Sequence, residues 1–133
     1  MIVFDANGEV ELLAGGSGGP RIISGTLQVL LSALIFGDDA GQAVARPRLH
    51  HQWQPDTLFL EPDFPRDVRE RLEALGHTLG EKSMIGAAEM ALYDPESCYF
   101  WGGADGRRDS RAAGANIGAA AATADTEPAD DAE

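Results

Sequence analysis

Residues 15–36 read GGSGGPRIISGTLQVLLSALIF: four glycines, a serine and a proline stand directly ahead of an apolar run. Pro20 suits a first helical turn, where its missing N–H would be unpaired in any case. Gly37 is a natural stop. A helix is therefore expected from Pro20 to Phe36. Ile22, Ile23, Leu27, Val29, Leu30, Leu31, Leu34, Ile35 and Phe36 cover most of its circumference, and a helix that apolar is built to be covered on more than one side. The glycines ahead of it admit three uses: a flexible joint, a phosphate cradle, or a wall of backbone N–H groups facing a reaction centre. No Gly-Lys-Ser/Thr follows, which excludes a Walker loop, and no GxGxxG falls in frame. A glycine-rich turn opening a helix gathers N–H groups at the positive end of the helix dipole, where negative charge is stabilised. Beside a reacting carbonyl the same groups form an oxyanion hole. Spacing alone leaves a plain tight turn and an anion-stabilising turn both open.

Upstream, MIVFD and EVELLA flank Ala6-Asn7-Gly8, and Asn-Gly is a strong hairpin signal. Downstream, Asp38 or Asp39 can cap a short helix ending at Ala45. ARPRLHHQWQPD reads as irregular and TLFLE as a short strand. PRDVRERLEALGH reads as an amphipathic helix with Val68, Leu72 and Leu75 on one face and Gly76 at its end. GAAEMALYD and CYFWGGAD close the ordered part as two strands joined at residues 94–97. The resulting order, β-β-α-α-β-α-β-β, contains no strict βαβ alternation and indicates an α+β fold with a mainly antiparallel sheet and packed helices. Residues 1–106 form the expected folded unit. From Arg107 to Glu133 the composition turns Ala-rich and then acidic, as in a disordered tail.

The net charge is −12 over 133 residues. That argues against nucleic acid, whose phosphates reward Lys and Arg, and against an anionic membrane surface. The longest apolar stretch is shorter than the ~20 residues of a membrane span, and the opening residues lack the basic start and apolar core of a secretory signal. Cys98 is the single cysteine, so no disulfide forms within the chain; a small buried strand residue is the favoured reading. Adjacent His50 and His51 point to different sides in helix or strand and make a poor metal pair, and His77 is isolated. Hydrogen-bonded histidines beside a packed Trp53 are expected, with no metal site and no cofactor. Arg46 and Arg48 fit either surface charges or buried ion-pair anchors. In WGGADGRRDS, Asp105 and Arg107 can pair locally within a surface loop. No GxSxG, SxxK or HExxH pattern supplies a nucleophile, and none of the five threonines opens a plausible mature N-terminus.

Taken in order, GGSGGPRI with LQVLL, ARPRLHHQW with DTLFLE, LEALGH, and GGADGRRDSRAAG resemble the C-terminal part of γ-glutamyltranspeptidase, a glutathione hydrolase of the N-terminal-nucleophile superfamily. The likeness runs over about residues 2–114. It implies a share in a four-layer αββα sandwich. It also implies an enzyme that cleaves γ-glutamyl amides such as glutathione and passes the γ-glutamyl group to water or an amino acid, through an acyl-enzyme on a freed N-terminal threonine. The family's paired glycines, which supply the oxyanion-hole amides, match Gly18 and Gly19. Gly16 and Ser17 stand where the family has Ser-Pro, Pro20 where it has serine, and Gly106 where it has the proline of Ala-Asp-Pro-Arg. The threonine and the large subunit have no counterpart here, so the resemblance implies a C-terminal fragment inactive alone, partnered by the missing N-terminal part. The family is usually periplasmic or secreted, and the resemblance implies the same habitat for this chain. The alternative is a small α+β module that kept the scaffold and binds a partner without chemistry.

Overall fold

The computed structural model describes residues 1–113. Ten elements follow in order: β1 (Ile2–Phe4), β2 (Val10–Ser17), α1 (Arg21–Leu34), α2 (Ala40–Ala45), β3 (Leu49–His50), β4 (Leu58–Leu60), α3 (Arg66–Ala74), β5 (Leu79–Glu81), β6 (Ala87–Asp94) and β7 (Tyr99–Gly103). They build two sheets. One is antiparallel throughout, in the order β1-β2-β6-β7; the other is β3-β4-β5.

The first hairpin closes where Asn-Gly indicated. The Asp5 carboxylate accepts the Asn7 and Glu9 amides, both at 2.8 Å, and Gly8 takes φ 85°. β2 then runs further than its alternating pattern suggested. It stays paired with β6 through Gly15↔Glu89, Gly16↔Ala88 and Ser17↔Ala87, so half of the glycine stretch is strand rather than loop. The reason is close approach: a Cβ on Gly16 would lie 2.8 Å from Ala87 O, so glycine is what lets the strand pass.

Strand alternation gives the large sheet two unlike faces. Leu12, Ala14, Ala88 and Met90 point to one side and, with Val29 and Leu30 of α1 and Ala40, Ala43 and Val44 of α2, form the core. α2 is fixed by Asp39, whose carboxylate accepts Gln42 N–H while the Gln42 side chain answers to Asp39 N–H, a reciprocal cap. α1 is shorter than the expected Pro20–Phe36. Pro20 stands just outside it, and after Leu34 both the Ile35 and Phe36 amides fall on Leu31 O before Gly37 reverses the chain at φ 75°. No helix among the described residues is long and apolar enough to cross a membrane.

The second sheet corrects the topology read from sequence. β5 was not anticipated, and it pairs parallel to β4 with α3 as the crossover, which is a βαβ unit. LGE carries no alternation and only three residues, so its pairing depends wholly on β4. Within α3, Val68 and Leu72 are half-buried, but Leu75 falls at the C-cap and is exposed. Trp53, expected to pack, is 77% exposed at φ 73°. Cys98, expected in a strand, sits exposed in the β6–β7 turn at φ 59°.

Candidate functional site

β2 and β6 part company after Ser17↔Ala87. Gly18 at φ 135° and Gly19 at φ 62° then turn the chain through Pro20 into α1, conformations that L side chains rarely adopt. The carbonyls of Gly18 and Gly19 accept the Arg21 and Ile22 amides at 3.3 and 3.1 Å. Among the described residues, neither glycine's own N–H donates to the ladder, to the helix or to a side chain. Pro20 has no N–H to offer. Gly18 and Gly19 therefore each bring an unpartnered N–H to the head of the 14-residue α1. Gly18 is half-buried and Gly19 exposed. Two cavities lie elsewhere. One is between Asp5, Glu9, Val10, Tyr93 and Phe100, the other on the open sheet face beside Leu13 and Glu89. Neither cavity is lined by Gly18 or Gly19.

Behind the turn lies a cluster of buried charge that the sequence only half disclosed. Asp105 and Arg107 do pair, at 3.1 Å, but not in a surface loop: the Asp105 side chain is fully buried. It also holds Arg48 at 2.7 Å, with that guanidinium equally buried, which settles Arg48 as an ion-pair anchor. Arg46 instead pairs at the surface with Asp38. Glu61, read only as the end of a strand, is the fourth member and takes Arg107 at 2.5 and 2.8 Å. Burial opposes charge on Glu61 and Asp105. Arg107 and the Ile85 and Arg48 amides outweigh it at Glu61; the Arg107 and Ala88 amides and the Arg48 side chain do so at Asp105. Both carboxyls end below their ordinary pKa. Burial likewise opposes charge on Arg107, and Glu61 and Asp105 overcome it, raising its pKa. The 106/107 domain boundary falls inside this cluster, so the folded contacts reach past it. The proposed tail otherwise lies mostly in 114–133, outside the described residues.

The histidines separate as expected. His50 is buried, with Nδ1 2.7 Å from Ser24 Oγ and Nε2 2.9 Å from Gln52 Oε1. The amide oxygen only accepts, so Nε2 carries a proton toward Gln52, while the Ser24 hydroxyl lies within reach of both Nδ1 and Arg21 O. His51 turns outward to Asp56 at 3.1 Å. Among the described residues no group of His, Cys, Asp and Glu is placed to hold a metal.

An antiparallel sheet with helices on one face and an open apolar face on the other is part of the αββα sandwich of the N-terminal-nucleophile hydrolases. Cephalosporin acylase from Bacillus halodurans has this arrangement at TM-score 0.72 and 25% identity, over 79% of this chain and 20% of that one. γ-Glutamyltranspeptidase from Helicobacter pylori, as its T380A mutant, superposes at TM-score 0.76 with 33% identity, over 81% of this chain and 59% of that chain. The glutathione hydrolase proenzyme of Escherichia coli is 34% identical over 101 residues, which are 76% of this chain and 17% of the relative. The family model for gamma-glutamyltranspeptidase matches residues 1–115. The chain belongs to the γ-glutamyltranspeptidase family.

Proposed function

We propose that this chain supplies the oxyanion-stabilising turn of an enzyme that cleaves γ-glutamyl amides such as glutathione. The γ-glutamyl group passes to water or an amino acid through an acyl-enzyme on a threonine that the rest of the catalytic domain contributes. The observation that carries the reading is the pair of unpartnered amides at Gly18 and Gly19, held at the head of α1. When the threonine attacks the γ-carbonyl, its oxygen gains negative charge at the tetrahedral stage. Two donors already in place stabilise that charge without reorganising, and the dipole of α1 adds to them. Nucleophilic catalysis still needs an activated nucleophile, so this chain acts as one part of the machine. That it spans 17% of the E. coli relative supports the same division.

The test has two arms. The purified chain should release no product from a γ-glutamyl anilide, and release should appear when the nucleophile-bearing part is supplied; threonine-dependent turnover by the chain alone overturns the division. In the assembled enzyme, Gly19→Val, which strains a positive-φ position, should lower kcat by ~10²-fold or more if one donor is lost while the protein stays folded. An unchanged kcat would leave the glycines as a turn and nothing more.

A further inference from the structure

We infer that Gly86 is the positioning residue of the Gly18–Gly19 turn, held in place by the buried charges behind it; this rests on the oxyanion reading of that turn. Gly86 lies at the point where β6 has not yet joined β2, with φ 68°. A Cβ on Gly18 would lie 2.8 Å from Gly86 Cα, and a Cβ on Gly86 would lie 2.9 Å from Ser17 O. The two backbones therefore touch with no side chain between them. Ser17 C=O and Gly18 N–H belong to one planar peptide unit. Whatever presses on Ser17 O tilts that plane and re-aims the Gly18 N–H. Gly86 is thus the floor on which one candidate donor rests.

The floor is itself fixed. Ile85 and Gly86 precede β6 and have no ladder partners of their own. Instead Ile85 N–H donates to Glu61 Oε1 at 2.7 Å and Arg48 Nη1 donates to Gly86 O at 3.4 Å, while just inside β6 Ala88 N–H donates to Asp105 Oδ2 at 2.8 Å. The two bonds to carboxylates are short, as bonds with one ionised partner are, while the Arg48 contact to Gly86 O is the long one. Arg107 locks the two carboxylates in turn, to Glu61 at 2.5 Å and to Asp105 at 3.1 Å. A segment outside the sheet is in this way tied to the charge cluster on both its residues. Donors that stabilise an oxyanion must be preorganised, and the cluster is what preorganises this one.

The experiment compares Gly86→Ala and Glu61→Gln with Gly19→Val in the assembled enzyme, well below its melting temperature. Gly86→Ala should lower kcat by ~10²-fold, the cost of one misplaced donor, with KM changed by no more than a few-fold. The Gly18 and Gly19 amide resonances of 15N-labelled protein should move with it. Glu61→Gln still offers an oxygen to Ile85 N–H but loses the charge that holds Arg107. It should show the same kcat loss at about a tenth of the size and the same resonances displaced, and it decides the matter alone should Gly86→Ala not fold. Wild-type kcat with unmoved resonances in the variant that folds overturns the inference. If Gly19→Val costs kcat and Gly86→Ala does not, the positioning role falls and the oxyanion reading stands. If neither costs kcat, the oxyanion reading itself has failed.

Discussion

Asp105 shows what one residue can commit a fold to. It is fully buried, accepts the Ala88 and Arg107 amides, and pairs with both Arg48 and Arg107. A buried charge is tolerated only with such company. Asp105→Asn keeps the shape and removes the charge, leaving Arg48 buried against no anion. Removing one partner of a buried pair costs ~3–5 kcal/mol, a large share of a total stability that is typically about 5–15 kcal/mol. The pH dependence has a definite sign. Asp105 titrates below its unfolded value, so its contribution is fully present above the ordinary carboxylate range and drains away as pH falls through the native value. Urea titrations should therefore show a wide gap between wild type and Asp105→Asn near neutral pH, narrowing below about pH 4. A gap independent of pH would mean that the charge is not what matters. Little of this was legible beforehand. Asp105 and Arg107 are close enough in sequence to suggest a pair, but Arg48 and Glu61 come from elements without a local signal linking them to it.

Among the elements, those with strong local chemistry were legible. The Asn7-Gly8 hairpin, the Asp39 cap and the Gly76 stop all fall where their residue types place them. β3 and β5, at two and three residues, exist only through partners far along the chain, and no periodicity announces them. β3 owes its position to Gln28 of α1. That side chain donates to Leu49 O at 2.8 Å and accepts Leu49 N–H at 2.9 Å, imitating the edge of a neighbouring strand. Gln28→Leu should strand both Leu49 groups, at about 1–3 kcal/mol for each that stays buried without a partner, and thermal melts of the purified chain should fall accordingly. A melting temperature equal to wild type would show that water replaces the amide at no cost. The glycine turn was legible as an anion-stabilising candidate, but Gly86, its opposite number, was not: it lies inside a run read simply as strand.

At the scale of the whole molecule, two apolar faces are left uncovered. On α1 and just past its end, Ile23, Leu27, Leu31, Leu34, Ile35 and Phe36 point outward, and on the sheet so do Ile2, Leu13, Tyr93 and Phe100. Exposed apolar surface of this extent drives association. The chain by itself should form oligomers or bind an apolar-surface dye, both relieved by a partner that covers these faces. A clean monomer in sedimentation with no dye binding would count against that. The apolar helix that set the original expectation of several layers thus has one of its sides covered by this chain.

The buried charge cluster also bears on the lifetime of the native state. Arg107 reaches Glu61 across 46 residues, and its partners gather from α2, the end of β4 and the loop beyond β7. Contacts so distant along the chain close only after the sheet has brought its ends together, since loop closure must be met first. A group that forms after the rate-limiting step leaves the folding rate alone and sets how fast the protein comes apart. The destabilisation of Asp105→Asn should therefore appear almost entirely on the unfolding limb of its kinetics: the four charges act less as glue during folding than as a latch afterwards, and without it the Gly18–Gly19 turn would survive for a shorter time.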